Sequence, residues 1–519
     1  MAGRALQIIP RILGGGAVII ALLTLSFGTL LAVILRAETN SGLAPADWAT
    51  IKFTLSQATL SALISTLFAI PTARALARRT FPGRKILVTL LGAPFILPVI
   101  VGVLGLLAVF GRAGWISQGL GMFGIDPISI YGAAGIILAH VFFNLPLATR
   151  LILHGWLSIP AERMRTANSL GFGPIAMFRY VEWPMLRGVI PGAFVVIFLL
   201  CLTSFSVALA VGGGPRATTI ELAIYQAFRF DFDLGRAALL AIIQFGLCTC
   251  VAALAFLIPM PDTRSAGLDG VLLWFTRPWV RLFDTFWIGA AALFLILPLL
   301  AIAMRGAPHL LALPNQVFSA AWTSIWVALL STFVCLVMAL TLVISVARTR
   351  RSAKHLTEAT GIMGLATSPL VVGTGLFLII FPFAHPMDLA LPITALVNAM
   401  MALPFAMRVL LPAVGDVYLT YLNLRDSLNM GRWPWLTLVI LPRIRRPLGF
   451  SAGLAAALSM GDLGVIALFA DPDVETLPLL LFRLMGAYRL DQAAAVALVL
   501  VSLSLGLFWL FDRGGRMNA

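Results

Sequence analysis

SIPAERMRTANSLGFGPIAMFRYVEWPMLR, residues 158–187, is a polar and basic interruption in a chain that is otherwise almost continuous hydrocarbon. It occurs twice. A shift of 258 positions sets Leu145, Pro146, Ala148 and Arg150 on Leu403, Pro404, Ala406 and Arg408 without a gap. The same shift sets Ser169, Leu170, Gly173, Val181, Pro184 and Arg187 on Ser427, Leu428, Gly431, Val439, Pro442 and Arg445. Shared apolar composition alone would not keep prolines, arginines and a glycine in register across a non-helical break, so the chain reads as a duplicated unit. The first half is expected over 1–262 with its loop at 158–187, a linker over 263–283, and the second half over 284–519 with its loop at 416–446.

Outside the two loops the composition decides the class. Sixty per cent of the 519 residues are hydrophobic and 11% charged, against about 25% charge in soluble domains. A span of the hydrocarbon core needs about 20 apolar residues. By that measure there are twelve candidates, near 12–35, 53–76, 86–110, 131–153, 188–211, 236–258, 284–304, 320–347, 358–382, 389–411, 447–470 and 492–511. The expected fold is an all-α polytopic membrane protein of two six-helix halves, because single spans must satisfy their own backbone hydrogen bonds in lipid.

The net charge of +15 could point to nucleic acid, but its placement points elsewhere. With a cytoplasmic N-terminus, 27 of the 36 lysines and arginines fall on the cytoplasmic side. The positive-inside rule therefore predicts that both termini and both repeated loops are cytoplasmic, with membrane lipid and not nucleic acid as the surroundings. Four cysteines, Cys201, Cys248, Cys250 and Cys335, fall inside candidate spans and read as small buried apolar residues. No metal site is expected from them.

Polar groups within the spans are few. His140 and Asn144 share a helix face, and the 258 shift sets them on Asn398 and Ala402. Together with Asp462, in Ser459-Met-Gly-Asp-Leu-Gly464, they are candidates for the lining of a pathway between the halves. The alternatives are an interhelical hydrogen bond for each amide or imidazole, and for Asp462 an arginine partner or a cap on a broken helix. Glu221, Asp231, Asp233, Asp471, Asp473 and Glu475 make the segments after the fifth and eleventh spans acidic, a candidate rim for docking.

The repeated loop carries the most chemistry. Pro160 and Glu162 mark a helix start, and Gly171-Phe-Gly173-Pro174 a bend. Met164, Leu170, Phe172, Met177 and Phe178 place apolar side chains amid charge, which suits insertion into a groove on a partner or rest on lipid headgroups. Around them, Ala167, Gly171, Val181 and Pro184, and Val439, Leu441 and Pro442, resemble the Glu-Ala-Ala…Gly…Ile-x-Leu-Pro coupling loop of ATP-binding-cassette importer permeases. Arg165 and Asn423 stand where that pattern has an acid, and Asn429 where it has glycine. RRTFPGRK (78–85), FILPVIVGVLGLLAVFGRAGW (95–115), LAHVFFNLPLATRLIL (138–153), VEWPMLR (181–187) and GGGPRATTIELAIYQ (212–226) resemble fused permeases of thiamine and thiamine pyrophosphate importers.

That resemblance implies an inner-membrane permease, two copies of a cytoplasmic ATP-binding subunit beneath it and a periplasmic substrate-binding protein above. It implies contact with the ATPases through Glu162, Arg165, Ala167, Gly171, Phe172 and Pro184 in one loop and Ser427, Asn429, Gly431 and Pro442 in the other. No cofactor is expected on the chain itself, ATP being used by the partner. Independently, the only lysines, Lys52, Lys85 and Lys354, follow Ile51, Arg84 and Ala353, so no Gly-Lys-Ser/Thr phosphate loop exists. Fused permeases of ferric-iron importers are the rival within the class. A twelve-helix secondary transporter would need ion-coupling groups, for which Asp462 and His140 are thin equipment.

Overall fold

The computed structural model describes residues 9–36, 43–91, 96–212, 214, 217–257, 278–348, 367–385, 387–469 and 475–516. Among them are helices and turns and no strand. Eleven helices are long and apolar enough to cross a membrane. The candidate at 358–382 lies partly outside the described residues, and its described part is the helix Pro369–Ile380. The candidate at 86–110 divides into Arg84–Leu90 and Val99–Phe110, with 92–95 outside the described residues.

Two registers relate the halves. Helices Pro45–Arg78 and Asn315–Arg348 have 34 residues each, and Val99–Phe110 and Pro369–Ile380 have 12 each. Both pairs are 270 positions apart. By the repeated loops the offset has fallen to 258, because the first half inserts a short helix, Trp115–Gly121, between its third and fourth helices.

The halves are tied by exchange of their first helices. The N-terminal helical run from Ile9 to Arg36 packs on Asn315–Arg348 and Pro369–Ile380 of the second half, and Pro278–Gly306 packs on Pro45–Arg78 and Val99–Phe110 of the first. Close approach is what the glycines at the crossings permit. A Cβ on Gly105 would fall 2.7 Å from the carbonyl oxygen of Pro298, and one on Gly375 would fall 2.6 Å from that of Thr29. Gly105 and Gly375 are themselves 270 apart, so the exchange is reciprocal. Each first helix also meets the last helix of its own half, Leu234–Leu257 or Leu490–Arg516.

The outward faces fit a lipid surround. Phe318, Trp322, Trp326 and Phe333 run along one side of Asn315–Arg348 and are each more than half exposed. Inside, small residues such as Ala58, Ala62, Ala69, Ala339, Ala399 and Ala406 let the backbones pack closely.

Some expectations need correction. Helix Pro45–Arg78 starts eight positions earlier than the candidate at 53, so Trp48 lies on the helix and not in a loop. The second half's fourth helix runs unbroken from Ala390 to Ser427, far past the expected end at 411. Its counterpart stops at Leu157 before a separate helix, Ala161–Ser169. At the position where the first half has Pro160, which disfavours helix in the residue before it, the second half has Tyr418, although the long helix accommodates Pro404 and Pro412 within it. Cys250 is exposed, whereas Cys201, Cys248 and Cys335 are buried as expected.

Candidate functional site: the paired loops and the broken helices between the halves

Both loops are built by the same backbone device. In the first, Leu170, Gly171 and Phe172 donate to the carbonyls of Thr166, Asn168 and Ala167. In the second, Leu428, Asn429 and Met430 donate to Leu424, Asp426 and Arg425, the same bonds 258 positions on. This closing pattern requires a left-handed residue after the helix. Gly171 has φ +69° and Asn429 φ +46°, so asparagine preserves the bend that glycine makes, as its tolerance of that region allows. The chain then turns at Gly173 or Gly431, re-enters helix, and passes through a π-helical segment, Phe178–Glu182 or Trp435–Ile440. Pro184 and Pro442 come directly after these segments, as the second residues of Trp183–Leu202 and Leu441–Arg443.

The apolar side chains divide into two sets. Ala167 and Met177 are buried with Met164, Phe172 and Val181 in a small core of the loop's own. They hold the loop's shape: Met177 is fully buried and so is not presented outward, while Met164 and Phe172 are half-buried. Leu170 and Ile175 are exposed, at 67% and 79%, as are Tyr180 and Trp183, and the counterparts Leu428 and Trp433 are exposed at 62% and 73%. Glu162 and Arg165 are exposed on the short helix, and Ser427 folds its hydroxyl back onto the carbonyl of Leu424.

What fixes each loop to the bundle differs between the halves. Glu182, buried, accepts from Arg74 Nε at 2.8 Å and Arg78 Nη2 at 2.7 Å, both on helix Pro45–Arg78. Arg74 also lies over the Phe178 ring. Beside them Arg79 Nε donates to Asp284 of the second half at 2.7 Å. The helix there begins at Pro278, so Asp284 is buried within it. In the second loop Ile440 replaces Glu182, and aromatic contacts take over: buried Trp435 meets Tyr418 edge to face, Arg425 lies over Trp435, and Arg443 over Tyr421. Sequence reading passed over Glu182, although an acid set between Arg179 and Arg187 is the available signal.

Nearer the middle of the bundle, the fifth helix of each half is broken at matching points. Trp183–Leu202 is followed by Phe205–Val211, and Arg445–Met460 by Gly464–Phe469. Ser204 and Asp462 are 258 apart at the two breaks. Asp462 Oδ1 accepts the N–H of Gly464 at 3.1 Å, the helix-capping alternative. The breaks face one another: a Cβ on Gly464 would touch Asp462 Oδ1 at 3.5 Å and Phe205 Cδ1 at 3.6 Å, and one on Gly461 would press on Pro98. Around them, His140 Nδ1 is 3.4 Å from Ser61 Oγ, Asn144 Nδ2 3.4 Å from Cys201 Sγ, and Asn398 Nδ2 donates to Ser459 Oγ at 3.1 Å. The polar candidates therefore bridge helices within each half, while Asp462 sits at the junction between halves.

At the end of the bundle away from the loops, a second repeated device appears. The N–H of Ile220 donates to Thr54 Oγ1 at 3.0 Å and that of Leu477 to Ser324 Oγ at 2.8 Å. Thr54 and Ser324 are 270 apart, so each second helix caps the short helix of its own half. Two acids expected on a docking rim are instead internal. Glu221 is fully buried, accepting from Gln244 Nε2 at 3.0 Å and Ser368 Oγ at 2.8 Å. Glu475 is buried and accepts from Gln316 and Arg483. Asp231 and Asp233 are exposed, and Asp471 and Asp473 lie outside the described residues. Among the described residues no three metal-ligating side chains come together.

Two six-helix halves with exchanged first helices, matching loops at one end and opposed breaks at the centre define a transporter permease subunit. No family model matches the chain. Over 99% of its length and 98% of the relative's, it is 39% identical to the thiamine transport system permease protein ThiP of Salmonella typhimurium. It is 40% identical to ThiP of Escherichia coli over 90% of this chain and 89% of that one, and 38% identical to ThiP of Brucella abortus over 96% and 94%. The chain belongs to the ThiP family of permeases. It is a multi-pass membrane protein, and its relatives are permease proteins of a transport system.

Proposed function

We propose that this chain is the membrane subunit of an ATP-binding-cassette importer that moves thiamine or its phosphates across the bacterial inner membrane. The observation that carries the cargo is likeness to thiamine permeases over nearly the whole length, in both halves. A periplasmic binding protein delivers the cargo, and two copies of a cytoplasmic ATPase, one beneath each loop, drive the cycle. The duplicated loops support that stoichiometry, since each ends in the same bend and exposes the same pair of apolar positions. Both termini and both loops face the cytoplasm in this reading, as the arginine distribution favours.

Closure of the ATPase pair moves the loops 158–187 and 416–446, with the halves, bounded by the 263–283 linker, rocking about their junction. Glu162, Arg165, Gly171, Phe172 and Pro184, and Ser427, Asn429, Gly431 and Pro442, shape or face that contact, and Ala167 supports it from within. His140, Asn144, Asn398 and Asp462 line or brace the path. No cofactor binds the chain, and ATP is consumed by the partner.

The test is ATP hydrolysis by the purified permease with its ATPase in lipid, adding thiamine-loaded, iron-loaded and empty binding protein in turn. Stimulation by the thiamine-loaded form alone, abolished when residues 160–184 are disrupted, is the expected result. Stimulation by iron alone would replace the cargo, and failure to associate with any ATPase would overturn the importer reading.

A further inference from the structure

Six carboxylates that are not exposed, Asp47, Glu182, Glu221, Asp284, Glu475 and Asp512, each accept from a side chain within the described residues. Asp462 is held by neutral groups alone, the side-chain amide of Asn398 and backbone N–H groups of the helix that follows. Its Oδ1 caps Gly464, but Oδ2 is shielded from solvent and has no hydrogen-bond partner among the described residues. Asp462 lies in the last third of the span Arg445–Phe469. A charge at that depth is costly unless a partner or a task accounts for it. The pseudo-symmetric residue at the other break, Ser204, makes no side-chain cap bond, so the carboxylate is a feature of the second half alone.

A file of aromatic rings from the first half leads to this carboxylate. Phe230 is 66% exposed at the end of helix Ile220–Arg229. Its ring meets that of Tyr225 edge to face with centroids 5.7 Å apart, and Tyr225 meets Phe205 at 5.2 Å. Phe205 in turn shares the space beside Gly464 with the Asp462 carboxylate. Ring faces attract cations that have shed water, and an unpaired carboxylate holds them more strongly.

We infer that Phe230, Tyr225, Phe205 and Asp462 form a selective passage for a flat organic cation, in which each ring takes the cation in turn and Asp462 is its counter-charge at the junction. The inference rests on the proposed thiamine cargo, whose thiazolium is a permanent aromatic cation. In the conformation described here Oδ2 is shielded from solvent. Parting of the halves uncovers it, so the site is offered only during the cycle.

The experiment uses the reconstituted permease, ATPase and binding protein in vesicles, and compares uptake of thiamine with that of its neutral thiophene isostere, 3-deazathiamine. Asp462→Asn keeps an oxygen that can cap Gly464 and removes only the charge. Wild-type complex should carry thiamine faster than the isostere, and Asp462→Asn should lower thiamine uptake about tenfold while leaving the isostere within about twofold. Phe205→Leu should narrow the same ratio with a smaller loss, which keeps a second test in hand should Asp462→Asn assemble poorly. Equal loss of both cargoes, or no loss in either variant, would overturn the passage and leave Asp462 a cap. Failure of the wild-type complex to carry thiamine would overturn the cargo reading itself, a different result.

Discussion

A single backbone position distinguishes the two loops in sequence and unites them in structure. Gly171 and Asn429 hold the same left-handed conformation, which costs an ordinary residue about 1–2 kcal/mol and a β-branched one more. Asn429→Gly should therefore leave thermal stability and ATPase stimulation intact, whereas Asn429→Val should unravel the bend and reduce stimulation several-fold. Equal behaviour of the two variants would show that the bend does not matter to coupling. Glu182 makes a second test at this scale. It is the shared acceptor of Arg74 and Arg78, and removing one partner of a buried charge cluster costs about 3–5 kcal/mol because the others stay desolvated. Glu182→Gln should lower the unfolding temperature in detergent by several degrees. A variant as stable as the parent would mean that water already reaches the arginines. Asp462 belongs with these residues as the carboxylate whose environment explains least of its charge.

Among the elements, what could be read in advance depended on whether the signal was local. The bend at Gly173 and Gly431 and the helix start after Pro160 follow from residue types within a few positions, and the structure has them where expected, whereas the apolar spans are placed but several of their ends are not. Continuation of the second loop's helix to Ser427 has a local correlate in Tyr418 at the place of Pro160, but the strength of the repeat concealed it, and Pro404 and Pro412 inside the helix show that proline alone is no stop. By contrast, the apolar residues of the loop could not be sorted into inner and outer sets from order alone. Met177 and Ile175 are two positions apart with opposite fates, and only the turn at Gly173 decides which faces inward. Glu221 and Glu475 looked like surface acids because they sit in short polar segments; their partners Ser368, Gln244 and Gln316 are distant in sequence. The crossings of the first helices were hidden for the same reason. They yield a prediction: Gly375→Leu must drive a side chain into the backbone at Thr29, and Gly105→Leu into that at Pro298. Overpacking of this kind costs about 1–3 kcal/mol or more where backbone cannot yield. Both variants should lose stability, measured by thermal unfolding, while Gly188→Leu, at an open site, should not.

For the molecule as a whole, the exchange of first helices settles which pieces can exist alone. Were each half a closed unit joined by a tether, cutting the tether would release two stable proteins. Here each first helix is clasped by the second and third helices of the other half, and each also touches the last helix of its own. A half expressed alone would expose the groove that the missing helix fills and would strand its own first helix in lipid without a partner. The ion pair between Arg79 and Asp284 would also lose one member on each side. Segments 1–262 and 278–519 produced together should therefore co-purify as a stoichiometric pair and support transport with the ATPase and binding protein. Each produced singly should be degraded or aggregate. Recovery of either half alone in a stable, monodisperse form would mean that the exchanged helices add little to assembly, and that the opposed breaks and core between the halves are held together by the linker. The reciprocity of the crossings, with Gly105 and Gly375 at equivalent positions, argues for the former outcome: two symmetric clasps need no tether to find each other.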